Sequence, residues 1–128
     1  MREPALRRLW IAAILALVAA IVVGSLAPEQ PVAADLISDK LGHYLAYLAL
    51  ALAVSGISTP GSLWWHMLAC LLLGVLLEVA QAVLTDHRSA EWADLAANAA
   101  GVATAWRVAA QGRAGWGLRA GTWLAGRR

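Results

Sequence analysis

The chain has 128 residues, of which 61% are hydrophobic and 14% are charged, and its formal net charge at pH 7 is +2. A soluble domain of this size could not cover so much apolar surface with polar side chains. The composition therefore excludes an ordinary soluble protein and favours a single domain embedded in a bilayer. The sequence has no long basic run, no glycine-rich phosphate loop and one cysteine, Cys70. We therefore expect no nucleic-acid partner, no intramolecular disulfide, no metal ion and no cofactor.

Four apolar segments predict four membrane-spanning helices, at about residues 9–27, 40–57, 63–84 and 92–110. Each has roughly 18–22 residues, and about 20 residues of α-helix cross a hydrocarbon core of about 30 Å. Pro28 follows the first segment and Pro60 precedes the third, and no proline lies inside a segment. Because proline lacks the N–H that a helix needs, this placement supports the predicted breaks. Pro28 also disfavours cleavage after Ala27, so we expect the first segment to be a helix and not a cleaved signal peptide.

Basic residues predict the orientation of this all-α, four-transmembrane-helix bundle. Four spans place both termini on one side, and both termini are rich in arginine, so both are expected in the cytoplasm of a multi-pass inner (cytoplasmic) membrane protein. The two outer connections are acidic: they contain Glu29, Asp35, Asp86 and Glu91. Residues 1–110 are expected to form one domain. Residues 111–128 are a basic tail of Gly, Arg and Trp that we expect to be flexible, because glycine disfavours helix. The tail either contacts the anionic inner leaflet weakly or is solvated.

Polar residues recur at helical spacing on the second, third and fourth predicted spans. Residues three or four apart lie on one face of a helix, so each set forms a stripe. The stripes begin or end their spans. They are Asp39, His43 and Tyr47 on the second, with Lys40 and Tyr44 on a neighbouring face, then Glu78, Gln81 and Thr85 on the third, and Asp94, Asn98 and Gly101 on the fourth.

The predicted topology brings all three stripes to the outer end of the bundle. A lone charge near the middle of a membrane helix costs about 2.5–3.5 kcal/mol on insertion scales, which favours mutual compensation. Three cations could offset three carboxylates there: Lys40, Arg88 and a protonated His43 against Asp39, Glu78 and Asp94, with Gln81 and Asn98 filling further hydrogen-bond positions.

These residues resemble the motifs of the VanZ-like membrane proteins. That family has Asp-Lys-x-x-His opening one membrane helix, Glu-x-x-Gln ending the next, an Arg-Ser connection, and Asp-x-x-x-Asn-x-x-Gly opening the last. The corresponding segments here are DKLGH from Asp39, EVAQ from Glu78, RS from Arg88 and DLAANAAG from Asp94, within about residues 39–106. The resemblance implies a four-helix membrane fold and membership of a group named for low-level resistance to the glycopeptide teicoplanin.

Three hypotheses for the polar residues remain open from the sequence. They could bind the headgroup of a membrane lipid or a lipid-linked cell-wall precursor, with Arg88 and Lys40 contacting phosphate. They could instead form a self-neutralised network that fixes the helix arrangement. They could also catalyse a lipid modification, with Glu78 as general acid or base and His43 as its partner. A metal held by His43, Glu78 and Asp94 is the least favoured variant of the third hypothesis.

Overall fold

The computed structural model describes residues 3–28, 36–86 and 90–126. These residues form five α-helices and no strand, which confirms the all-α prediction. The helices are α1 (Glu3–Leu26), α2 (Leu36–Ser55), α3 (Leu63–Leu84), α4 (Trp92–Val108) and α5 (Trp116–Ala125). A π-helical segment, Ala109–Arg113, joins α4 to α5 and is kinked at Gly112, where φ is +83°.

Helix α2 lies in close contact with α4, and glycine makes this approach possible. A Cβ added at Gly101 in α4 would overlap the backbone oxygen of Tyr44 and lie 2.8 Å from the backbone nitrogen of Leu48. The two helices are also joined by the Tyr44 hydroxyl, which donates to Thr104 Oγ1 at 3.2 Å. Small residues at helix contacts let backbones approach closely, as they do in membrane proteins.

The core lies between α2, α3 and α4. Its buried side chains come from all three helices and from Ile21 of α1, and Cys70 is one of them. The main buried core positions are Leu50, Ala51, Met67, Cys70, Leu77, Val102 and Ala105.

The outward faces of α1 and α3 remain strongly apolar. By length and composition these two helices, as Pro4–Leu26 and Leu63–Leu84, are able to cross a membrane. Core helices of soluble proteins and signal sequences can be equally long and apolar, so two such helices alone indicate a membrane protein only weakly. Large apolar side chains exposed on them include Leu15, Val23, Leu72, Leu76, Val79 and Val83.

The prediction of a flexible tail differs from the structure, because residues 116–125 form α5 and pack against α1. A Cβ at Gly117 would lie 2.5 Å from Trp10, so glycine is needed where the indole contacts α5. Gly121 is equally close to the Leu6 side chain. The backbone N–H of Gly115 donates to the Ser55 carbonyl at 2.8 Å, which fixes the start of α5 to the end of α2. The glycines that lower helix propensity are the residues that allow this packing.

Candidate functional site

One end of the bundle collects most of the polar residues predicted from the sequence. Helix α2 begins there, α3 ends there and α4 begins there, because successive helices run antiparallel. The polar cluster, as we use the term, consists of Asp39, Lys40, His43, Glu78, Glu91, Asp94 and Asn98.

Lys40 links the start of α2 to the start of α4. Its Nζ donates to Asp39 Oδ2 at 3.0 Å and to Glu91 Oε2 at 2.7 Å. It also donates to Asp94 Oδ1. An ammonium group has three N–H donors, so three carboxylate acceptors saturate it. The Lys40 side chain is 24% exposed and that of Asp94 is 9% exposed, so these contacts are partly shielded from water.

His43 lies one turn deeper on the same face of α2. Its Nδ1 is 3.1 Å from Asn98 Oδ1, and its Nε2 is 3.7 Å from Asp94 Oδ2. An amide oxygen only accepts, so Nδ1 carries the hydrogen of the first contact and Nε2 is directed toward the carboxylates. Asn98 is buried and thus holds the ring in place between α2 and α4.

Glu78 is 2% exposed and contacts the first residues of α4. Its Oε2 accepts the backbone N–H of Glu91 at 3.2 Å, and Glu91 is the N-cap residue of α4. A carboxylate at a helix N-terminus satisfies an otherwise unpaired N–H and interacts favourably with the helix dipole. Glu78 also interacts electrostatically with Asp94, His43 and Lys40, so it belongs to the same cluster.

Gln81 differs from the other predicted residues, because it contacts α1. Its Nε2 donates to the backbone oxygen of Ser25 at 2.7 Å. Its own backbone oxygen accepts from Thr85 Oγ1 at 2.6 Å, at the end of α3. Gln81 therefore ties α1 to α3 beside the cluster. Tyr47, deeper on α2, is also buried, and its hydroxyl has no hydrogen-bond partner among the described residues.

The structure adds Glu91 to the predicted residues, and Arg88 lies outside the described residues. Glu91 was expected only as an acid of an outer connection, because its contact with Lys40 spans 51 positions of sequence. Among the described cluster residues, four carboxylates face one lysine: Asp39, Glu78, Glu91 and Asp94 against Lys40. Glu91 thus adds a fourth carboxylate to the three that the sequence predicts.

Asp39, His43 and Asp94 are the described residues that could hold a metal ion. One ligand atom from each lies within 4.8 Å of the others. The sequence suggested Glu78 as the third ligand beside His43 and Asp94, and the structure has Asp39 in its place. Lys40 contacts both carboxylates, so the lysine already supplies a positive charge at this position.

A groove of about 490 Å³ runs between α1 and α2 and reaches the polar cluster at Asp39 and His43. Its other walls are apolar or small, which gives it one polar end and one apolar end. The lining residues on α1 are Leu17, Ala20, Ile21, Gly24 and Ser25, and those on α2 include Gly42, Ala46 and Tyr47.

Comparisons with protein-family models, with curated proteins and with solved structures give no match to this chain.

Proposed function

We propose that this chain is a VanZ-like integral membrane protein of the cell envelope that binds the headgroup of a membrane lipid or of a lipid-linked cell-wall precursor. In this proposal α1 to α4 span the inner membrane, both termini are cytoplasmic, and the polar cluster lies at the outer leaflet. The observation that carries the proposal is a buried polar cluster, shared by three helices, that opens into a groove with apolar walls.

The exposed apolar faces support a membrane location. Only 6% of the apolar window of α1 and 33% of that of α3 are buried within the protein. A core helix of a soluble protein is mostly buried, whereas a lipid-facing helix is not. Val23 is 69% exposed and Val83 is 74% exposed, and lipid contact would remove both from water. Glu78 on α3 and Asp94 and Asn98 on α4 are buried in the bundle interior, where intramembrane polar groups are expected.

The basic termini support the proposed orientation. Arg7, Arg8 and Arg113 lie at the end of the bundle opposite the cluster, whereas Asp86 lies at the cluster end and Glu91 belongs to the cluster. Positive residues favour the cytoplasmic side, so the cluster would face outward. A headgroup of the outer leaflet, or a precursor exposed there, would then reach Asp39 directly.

A structural scaffold is the second candidate, because most cluster groups already have partners. Lys40 has three carboxylate contacts, Glu78 has the Glu91 N–H, and His43 has Asn98. Such a network can specify a helix arrangement without binding anything. The groove is the feature that a scaffold does not require.

The geometry favours binding over catalysis. Glu78 is buried, accepts the backbone N–H of Glu91 and does not line the groove. His43 contacts Asn98 and not Glu78. A general acid or base needs to be within hydrogen-bond reach of its substrate. His43 meets this condition from the groove, but its predicted partner Glu78 does not.

Substitution of Asp39 tests binding against scaffolding. Asp39→Asn removes a charge at the mouth of the groove from a side chain that is 32% exposed. We expect near-normal membrane abundance, about tenfold weaker retention of bound lipid, and loss of any teicoplanin-resistance phenotype that the wild type confers. Asp86→Asn is the matched control, because Asp86 is an exposed acid outside the cluster. Loss of membrane abundance with unchanged lipid retention per folded molecule would instead support the scaffold.

A further inference from the structure

The groove between α1 and α2 has the shape of a site for a chain-bearing molecule. Its volume of about 490 Å³ falls within the roughly 300–1,000 Å³ of small-molecule sites. Glycines on both walls leave the groove open, since Gly24 on α1 and Gly42 on α2 have no side chain to fill it. A Cβ added at either position meets nothing within 4 Å. Leu17 and Ile21 form the apolar wall on α1, away from the polar end.

The polar end of the groove is acidic. Asp39 and His43 line it, and the described cluster behind them has four carboxylates and one lysine. The ammonium of Lys40 is directed at three of those carboxylates, so it is saturated and offers nothing to an anionic headgroup. Charge complementarity with these described residues favours a cation.

The available acceptors favour a primary amine over a quaternary one. A primary ammonium has three N–H donors, and a charge-assisted hydrogen bond to a carboxylate is stronger than a neutral one. Asp39 supplies such a carboxylate, and the His43 ring lies beside it at the same end of the groove. A choline headgroup has no N–H and cannot donate to this carboxylate.

We infer that the groove between α1 and α2 holds a lipid with a primary-amine headgroup, whose ammonium lies against Asp39 and His43 while an acyl chain lies along Leu17 and Ile21. This inference rests on the proposed lipid-binding function and specifies the headgroup class that it takes.

Competitive lipid retention tests the inference. The full-length protein is reconstituted in nanodiscs with equal amounts of phosphatidylethanolamine, phosphatidylcholine and phosphatidylglycerol, then extracted in mild detergent, and the retained lipid is measured by native mass spectrometry. We expect phosphatidylethanolamine to exceed the other two by about tenfold, and Asp39→Asn to abolish that preference.

Filling the groove is the second arm of the test. Gly42→Leu and Gly24→Leu each place a side chain in the open space, and we expect both to lower retention of all lipids. Gly61→Leu is the matched control, since a Cβ there also meets nothing within 4 Å but lies in the turn between α2 and α3. It should retain lipid like the wild type. Adding EDTA to the wild type checks for a divalent cation, and we expect no change in lipid preference.

The outcomes separate the two proposals. The wild type could instead retain mainly phosphatidylglycerol, or all three lipids equally, and lose this retention in Gly42→Leu. That result would overturn the amine assignment and leave lipid binding intact. Loss of the preference in EDTA would assign the acidic end to a metal ion and also overturn it. Lipid retention that neither filling variant changes would overturn the groove as the site, and no retention by the wild type would overturn the proposed function itself.

Discussion

Lys40 is the residue on which the contacts of the polar cluster converge. It joins the start of α2 to both acids of the α4 N-terminus, and among the described residues it is the one lysine or arginine in contact with Asp94. Removing it would leave nearby carboxylates close together without a counter-charge. Removing one partner of a shielded ion pair is more harmful than never having the pair.

Lys40→Met should therefore destabilise the folded protein by about 1–3 kcal/mol, the typical range for leaving a shielded charged group unsatisfied. Thermal denaturation in detergent measures the change. Arg107→Met, which removes an exposed cation from α4, should leave the midpoint nearly unchanged. Equal stability of Lys40→Met and wild type would show that the Lys40 contacts do not hold the cluster.

Glu78 has a different structural role from Lys40, because its buried carboxylate accepts a backbone N–H at the start of α4. Glu78→Gln keeps an acceptor oxygen at that position, whereas Glu78→Leu does not. We expect Glu78→Leu to lower the stability by about 1–3 kcal/mol and Glu78→Gln to lower it less. Membrane abundance and thermal denaturation report the order, and a Gln variant as unstable as the Leu variant would contradict the capping role.

The sequence could identify these residues from their spacing within each helix and from the common end of the spans that carry them. The i, i+4 spacing of Asp39 and His43 and of Asp94 and Asn98 is visible along the chain, and both pairs do lie in the cluster. The contact of Glu91 with Lys40 could not be predicted, because it depends on the axial position of α4 relative to α2. No spacing within one helix encodes that distance.

At the level of the helices, the bounds of α1 to α4 lie within two residues of the prediction, except at the starts of α1 and α2, where the helix extends into more polar sequence. Helix α3 occupies the predicted range 63–84, and α4 begins at the predicted Trp92. Helix α2 begins at Leu36, four residues before the predicted start, because helical hydrogen bonding continues through the polar residues ahead of the apolar run. Helix α5 was missed, because its stability comes from contacts with α1 and α2 and not from local propensity.

The contact between α2 and α4 depends on Gly101. Any Cβ there would overlap the backbone of α2, so Gly101→Ala should cost about 1–3 kcal/mol of stability through overpacking. Gly24→Ala is the control, since it places a Cβ in open space within a helix and should be neutral or stabilising by about 0.5–1 kcal/mol. Thermal denaturation compares the two, and similar effects would argue against close packing of α2 on α4.

The docking of α5 depends on Gly121 in the same way. Gly121→Val would displace the Leu6 side chain, so we expect α5 to detach and Arg119 to become sensitive to trypsin. Gly126→Val should remain as resistant as the wild type, because a Cβ at Gly126 makes only ordinary contacts of 3.6 Å and 3.8 Å. Limited proteolysis of both variants distinguishes a docked helix from a loose tail.

The two ends of the molecule differ in the charge of their side chains. Acidic and amide groups from three helices meet where α2 begins, whereas the opposite end carries the α5 contact and most of the arginines. Exposed apolar side chains on α1 and α3 lie between these ends. Placed in a bilayer, this arrangement puts a polar, acidic cluster at one membrane surface and a groove along its lipid-facing side.

Cysteine labelling of intact cells tests most directly whether the cluster lies at the outer membrane surface. In a Cys70→Ser background, single cysteines replace Asp86 at the cluster end and Gly61 at the opposite end, and both positions are exposed. A membrane-impermeant maleimide should label Asp86→Cys in intact cells and Gly61→Cys only after permeabilisation. Labelling of Gly61→Cys but not Asp86→Cys in intact cells, or equal labelling of both, would contradict the account.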